Sequence, residues 1–175
     1  VLNRLPRVVN SVGVDIINSS LGYHDFDDSS TNHKYYEMDG LTTFISRTAS
    51  MLADKGIILV NSAGNDGMGT WKKLNFPADA RNIITVGARI KPDVMAYGSP
   101  AVVISGRGTI VDDMGTSFSA PLISGMVACL WQALPDKTAK EIIDIVIHSG
   151  NNIHPDNVYG YGVPDFQKAY NNGKR

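Results

Sequence analysis

Residues 39–60, DGLTTFISRTASMLADKGIILV, decide the fold. Asp39 stands where a helix N-cap acceptor is wanted. Leu41, Phe44, Ile45, Ala49 and Leu52 then recur at the three-to-four spacing of one apolar face. This spacing predicts a helix from Leu41 to Lys55, stopped by Gly56, and Ile57–Val60 follows at once as a short buried strand. Upstream, Val12–Asn18 reads as another buried strand, with Val14, Ile16 and Ile17 apolar. The polar stretch Gly22–Asp39, rich in Asp, Ser and His, joins it to the helix as a long surface loop. Strand, crossover helix and strand form a right-handed βαβ unit with parallel strands.

The remaining sequence extends this pattern. Ile83–Val86 and Ala101–Ser105 are further apolar runs of strand type. Ser117–Leu134 is apolar on nearly every side, as expected of a helix in the middle of a domain. Pro121 in its first turns removes one backbone donor, so the Ser117 carbonyl should lack its usual partner, and Pro135 ends the helix. Thr138 and Glu141 form a capping box for a helix reaching Ile147 and closing near Gly150. A short helix from Asp165 to Tyr170 finishes the pattern. The expectation is an α/β fold, a three-layer α/β/α sandwich with a mostly parallel sheet, in one domain over residues 1–175.

Composition narrows the class. Hydrophobic residues make up 43% and charged residues 19%, which suits a packed core rather than a disordered chain. A net charge of −1 gives no support for a nucleic-acid or anionic-membrane partner. No apolar run approaches the ~20 residues of a membrane-spanning helix. The single cysteine, Cys129, excludes an intrachain disulfide framework and a cysteine-based zinc site, and is expected in the core as a small hydrophobe. There is no initiator Met, and Val1–Arg7 already reads as the inside of a domain, so a piece of something longer is expected.

Three segments carry candidate chemistry. In Gly115-Thr116-Ser117-Phe118-Ser119-Ala120-Pro121, a serine opens a helix whose N-terminus offers unpaired N–H groups and partial positive charge. Ser117 is either a nucleophile or simply an N-cap. In Asn61-Ser62-Ala63-Gly64-Asn65-Asp66-Gly67, directly after a strand, Asn65 is either an amide donor to developing negative charge or a turn residue. Asn18-Ser19-Ser20-Leu21-Gly22 is either backbone open to an extended peptide or a plain strand end.

Together these segments resemble the subtilisin-like serine proteases, the subtilases. Ser-Leu-Gly after Asp-Ile-Ile-Asn, then Ser-Ala-Gly-Asn-Asp-Gly, then Gly-Thr-Ser-Phe-Ser-Ala-Pro occur in that family's order. Lys91-Pro92-Asp93-Val94 with Gly98, and Tyr159-Gly160-Tyr161-Gly162-Val163-Pro164, also resemble family segments. The resemblance runs from about Val12 to Tyr170. It implies a serine endopeptidase with Ser117 as nucleophile and Asn65, with the Ser117 N–H, as oxyanion hole. Ser20, Leu21 and Gly22 would line one wall of a polypeptide-substrate groove. Ser62, Ala63 and Gly64 would line the other, beside the pocket for the residue before the scissile bond. Secretion to the cell surface, periplasm or medium is implied by the resemblance alone. No cofactor or metal is expected, and calcium enters only through the family likeness. The acidic cluster Asp25, Asp27 and Asp28 reads as a solvated loop.

The family's Asp-Ser/Thr-Gly and His-Gly-Thr segments do not occur in this sequence. His24, His33, His148 and His154 read as solvated surface residues. The expected architecture is therefore incomplete at its N-terminus. The missing part of the same domain, on the same parent or as a separate chain, would be a partner carrying the catalytic Asp and His. This chain alone would be inactive. The family also has more residues between Val86-Gly87-Ala88 and Lys91-Pro92-Asp93. The alternative function is a non-catalytic subtilase-like module that binds peptides or assembles with partners. A lipase of α/β-hydrolase type would need Gly-x-Ser-x-Gly, and Gly115–Ser119 lacks the second glycine.

Overall fold

A computed structural model describes residues 12–87 and 92–175. The sequence expectations for Val1–Arg7 and for the Ala88–Arg89 junction lie outside the described residues. Four parallel strands form one sheet in the order β1 (Ile16–Ser19), β2 (Ile58–Ser62), β3 (Ile84–Gly87) and β4 (Val94–Met95). The register pairs Ile16 with Ile58, Val60 with Ile84, and Val86 with Val94. Residues in a strand alternate between faces. Ile58, Val60, Ile84 and Val86 therefore pack on one side with α2 (Thr116–Ala133), α3 (Ala139–His148) and α4 (Phe166–Gly173). Ile57, Leu59 and Ile83 pack on the other, against Ala49 of α1 (Phe44–Ser50) and Leu52 after it. Helices on both faces of a parallel sheet are the expected α/β architecture.

Several boundaries and burials differ from expectation. The first strand starts at Ile16, and Val12 is 70% exposed ahead of it. Ile16 and Ile17 are only partly buried and Asn18 is exposed, while Ser19 is buried, because β1 is the edge strand of the described sheet. The predicted helix 41–55 is shorter. Asp39 does accept the Leu41 and Thr42 N–H groups, at 2.8 and 2.7 Å, but these belong to a turn, and Thr43 caps the helix. Leu41 and Phe44 are exposed, while Ser46, Ala49 and Ser50 face inward. The buried hydroxyls are paired. Ser46 Oγ donates to Asp79, and Ser50 Oγ lies 2.8 Å from the Gly40 carbonyl and accepts the Arg81 N–H. A 3₁₀ turn, Ala53–Lys55, then ends at Gly56 with φ of 76°, a conformation open to glycine.

Ala101–Ser105 is not part of the main sheet. Ala101–Ile104 (β5) pairs antiparallel with Ile110–Asp113 (β6) as a separate hairpin, and Val102, Ile104 and Ile110 are exposed. The long helix α2 is buried on one face only. Ile123, Val127 and Leu130 meet the sheet, while Leu122 and Met126 are exposed. Cys129 is exposed as well, which corrects its expected core position, because it lies on the Leu122–Met126 side of the helix. The capping box is present: Thr138 Oγ1 accepts the Glu141 N–H, and Glu141 accepts the Thr138 N–H at 2.8 Å. Asp165 caps α4.

The Ser117 carbonyl that Pro121 deprives of a donor does find one: Ser20 Oγ donates to it at 3.0 Å. This bond ties the end of β1 to the start of α2. Ser20→Ala in the full-length protein should therefore cost about 1 kcal/mol by leaving that carbonyl bare. Pro121→Ala restores an N–H four residues on, which can serve the same carbonyl. In the Pro121→Ala background, Ser20→Ala should cost less than half as much in denaturant unfolding. An equal cost in both backgrounds would remove the bond from the account.

Asp93 joins β4 to β3 through its side chain as well as its backbone. Its Oδ2 accepts the Thr85 N–H at 2.8 Å, and its N–H donates to the Thr85 carbonyl at 2.9 Å. Burial pushes its carboxyl above the ordinary range, opposed by the Thr85 hydrogen bonds. The protonated form is thus favoured by folding, and its contribution to stability is present in acid and lost as pH rises through the raised value. Asp93→Asn keeps an acceptor and removes the charge. Melting curves should show the Asp93→Asn protein melting at a higher temperature than wild type near neutral pH, with the gain vanishing below the carboxylate range.

Candidate active site

The sheet register places two loops side by side. Ser19 at the end of β1 pairs with Asn61 of β2, so Ser20–Gly22 and Ala63–Asn65 leave the carboxyl ends of neighbouring strands. Ligand sites of open parallel sheets form at such ends. The N-terminus of the 18-residue helix α2 abuts both loops. Gly64 donates its N–H to Thr116 Oγ1 at 3.2 Å, and Ser20 Oγ holds the Ser117 carbonyl.

Asn65 is fixed by Thr116. The Thr116 N–H donates to Asn65 Oδ1 at 3.0 Å, and Thr116 Oγ1 lies 3.2 Å from the same oxygen. A backbone N–H can only donate, so the amide atom facing it must be oxygen and Nδ2 is turned elsewhere. Nδ2 has no acceptor among the described residues, and neither has the Ser117 N–H. A Cβ at Gly115 would lie 3.3 Å from Asn65 Nδ2 and 3.8 Å from the Ser117 nitrogen. The space left by the missing side chain of Gly115 thus borders two unpartnered donors at the positive end of a long helix. An oxygen bearing negative charge suits that space.

Gly98 sets the approach of this helix. Its carbonyl accepts the Gly115 N–H at 2.9 Å, and a Cβ on it would run into Ser119 Oγ and lie 2.7 Å from the Gly115 carbonyl. Ser119 is itself buried and donates to the Ala96 carbonyl at 3.1 Å. Ser117 Oγ makes one long contact, 3.5 Å to the Ser20 carbonyl, which leaves the hydroxyl available.

The two expected groove walls differ in what they offer. The Leu21 N–H and both backbone groups of Gly22 have no partner among the described residues, and Leu21 is 41% exposed. The next residue, Tyr23, pairs both ways with Phe76 at 3.0 Å. On the other side, Ser62 belongs to β2, and Ala63 is 2% exposed with its N–H given to Val86 and its carbonyl to Asn75. Ser62 and Ala63 therefore form the base of that wall rather than a free edge. Gly64 is less buried than either.

The described residues bring no histidine into hydrogen-bond contact with Ser117. His24 and His33 are packed rather than solvated, correcting the expectation. Each side chain is 19% exposed; His24 stacks on Trp71 at 4.5 Å, and His33 meets Phe26 and Phe76. In the acidic cluster, Asp28 Oδ1 accepts the Ser30 N–H and hydroxyl, and Asp25 lies 3.1 Å from His24 Nδ1. Asp28 thus serves a local turn, and no group of three or more metal-ligating residues forms among the described residues. Among those residues no helix is long and apolar enough to cross a membrane. Sequence reasoning passed over Thr116, whose position inside the quoted glycine–serine segment was the available signal.

Comparison with known proteins bears on the family and the fold. The model of the Subtilase family of peptidases matches residues 5–90 and 87–162. The chain is 26% identical to Subtilisin-like protease SBT6.1 of Arabidopsis thaliana, over 90% of this chain and 17% of that protein. It is 29% identical to Subtilisin-like protease PopC of Myxococcus xanthus, over 83% of this chain and 34% of that one. The chain thus spans about a third or less of the length of these relatives. In fold it is similar to the prenylagaramide maturation protease PagA, with a TM-score of 0.70 and 18% identity, covering 98% of this chain and 66% of that one. It is similar also to the self-cleaved protease domain of PatA, with a TM-score of 0.68 and 20% identity, covering 99% and 66% of the two chains. With its sheet, its helix N-terminus and the family model matched along most of its length, this chain belongs to the subtilase family.

Proposed function

We propose that this chain is the C-terminal part of the catalytic domain of a serine endopeptidase. The reading is carried by one observation, the two unpartnered donors of Asn65 and Ser117 bordering the space at Gly115. Ser117 Oγ attacks the carbonyl carbon of the scissile peptide bond, and its proton passes to a histidine outside these 175 residues. The carbonyl oxygen takes up negative charge and accepts hydrogen bonds from Asn65 Nδ2 and the Ser117 N–H. The C–N bond then breaks, the amine leaves with the proton, and the acyl group remains as an ester on Ser117 until water hydrolyses it. Leu21 and Gly22 pair with the extended substrate as an added strand, with Ser20 behind them and Ser62, Ala63 and Gly64 opposite.

The catalytic Asp and His belong, in this proposal, to a part of the same domain that precedes Val1, on the same parent or as a separate chain. The exposed apolar face of α2, with Leu122 52% and Met126 45% accessible, supports a covering partner there. Export follows only from the family likeness. No cofactor takes part in the reaction, and calcium would be a structural ion.

Alone, the 175-residue chain should hydrolyse no generic peptide, and a serine-directed fluorophosphonate should not label Ser117 rapidly. Loss of the base in a triad can cost around 10⁶ in kcat, a value that comes from subtilisin itself. Rapid stoichiometric labelling would sink the incomplete-site reading.

In the full-length protein, Asn65→Ala removes one preorganised donor. The expected loss is roughly 10²–10³ in kcat with KM little changed, again the size seen in subtilisin for one lost oxyanion donor. Asn65→Asp should be worse, because it sets a carboxylate where negative charge develops. A turn role predicts that Asn65→Asp keeps its activity. Near-normal kcat in both variants would remove Asn65 from the mechanism.

A further inference from the structure

Pro121 leaves the Ser117 carbonyl without an N–H four residues on, and the Ser20 hydroxyl takes that place at 3.0 Å. A carbonyl only accepts, so the one proton of the Ser20 hydroxyl is committed to it. Ser20 Oγ can then meet a further neighbour only as an acceptor. That neighbour is Asn18, whose Nδ2 lies 3.4 Å away and donates. With Nδ2 turned to Ser20, Asn18 Oδ1 faces Ser124 of α2, whose hydroxyl donates to it at 3.1 Å. Ser124 Oγ also stands 3.0 Å from the Ala120 carbonyl, so both of its partners are acceptors and neither can reverse the chain. Three side chains thus lead from the third turn of α2, across the end of β1, back to its first turn. Every proton in the chain points the same way, from Ser124 toward Ser117. Asn18 is exposed on the edge strand, yet it spends both ends of its amide on protein rather than on solvent.

The last link bears on the nucleophile. Ser20 meets Ser117 twice: its hydroxyl donates to the Ser117 carbonyl, and its own carbonyl lies 3.5 Å from Ser117 Oγ. Holding that carbonyl fixes ψ of Ser117 and keeps the residue against the end of β1. We propose that Asn18 is a positioning residue for the acylation step: by donating to Ser20 it keeps the Ser20 proton on the Ser117 carbonyl and so holds the nucleophile in place. This inference rests on the peptidase reading. Asn18 touches no substrate in it and acts only through Ser20. The groove wall is anchored separately, because Tyr23 pairs both ways with Phe76 at 3.0 Å, so the chain governs the nucleophile more than the wall. A misplacement of about 1 Å at a reacting group can cost roughly 10²-fold in rate, which makes one side-chain link enough to matter.

The test uses the full-length protein and reverses the proton direction. Asn18→Asp keeps the shape of the side chain, but an ionised carboxylate only accepts, so it draws the Ser20 proton away from the Ser117 carbonyl. Pro121→Ala gives that carbonyl a helix N–H and frees it from Ser20. With Pro121 in place, Asn18→Asp should lower kcat roughly ten-fold or more while KM changes by less than about two-fold. In the Pro121→Ala background the same substitution should lower kcat by less than about three-fold. Asn18→Ala, which adds no charge, should lower kcat in the same direction by a smaller factor. A normal kcat in Asn18→Asp would overturn the proposal, as would an equal loss in both backgrounds. A loss in Asn18→Asp with none in Asn18→Ala would also overturn it, by assigning the effect to charge. Denaturant unfolding of the same four combinations of residues 18 and 121 reads the chain without activity: Asn18→Asp should destabilise the protein with Pro121 and do so less than half as much with Pro121→Ala. If wild type cleaves no peptide, the peptidase reading fails, and equal destabilisation in both backgrounds would then show separately that Asn18 does not direct the Ser20 proton.

Discussion

The Thr116 N–H has only one thing it can do, and the site depends on it. As a donor it must face the oxygen of Asn65, and it thereby turns the amide nitrogen outward. The same threonine receives the Gly64 N–H through its hydroxyl. One buried residue at a helix start thus sets the position of the loop after β2 and the orientation of the amide in that loop. Preorganised donors are effective because they need not reorganise when charge appears. In the proposed oxyanion site that preorganisation would come from backbone otherwise unsatisfied at the helix N-terminus.

The sheet supplies the other half of the arrangement. Parallel pairing of β1 and β2 brings Ser19 beside Asn61, so two loops leave the sheet together. The helix that closes the site is held to both. Pro121 contributes by subtraction: it frees the Ser117 carbonyl, which Ser20 Oγ then takes. A residue that looks unfavourable inside a helix becomes the reason for an attachment between helix and groove wall. Gly98 lets the backbone at Gly115 come within hydrogen-bond distance from the opposite side.

Much of this was legible in the sequence because it rests on local rules. The βαβ unit, the Thr138–Glu141 capping box and the orphaned Ser117 carbonyl follow from spacing, cap chemistry and proline geometry. The glycine–serine and serine–glycine–asparagine segments drew attention to Ser117 and Asn65, and the structure brings both to the space at Gly115. What escaped depends on tertiary partners. Phe44 and Leu41 fit an apolar stripe, yet Ser46 and Ser50 are buried instead because Asp79 and the Arg81 N–H await them. Cys129 is exposed because α2 packs with one face only. Asn75 carries no motif, and it meets both Gly22 and Gly64 only in the folded chain.

The polar inner face of α1 has an evolutionary consequence. Asp79 accepts the Gly40 N–H and the Ser46 hydroxyl, and Ser50 joins Gly40 to Arg81. These positions form a closed set in which each group satisfies another. Replacing Ser46 or Ser50 with valine would suit an amphipathic helix on paper, yet it would strand a half-buried carboxylate or a backbone donor. Drift at any one of them is therefore blocked unless a second changes with it. Sequences that diverge here should do so in steps of two or more, leaving correlated substitutions at residues 40, 46, 50, 79 and 81 as the trace of the lock.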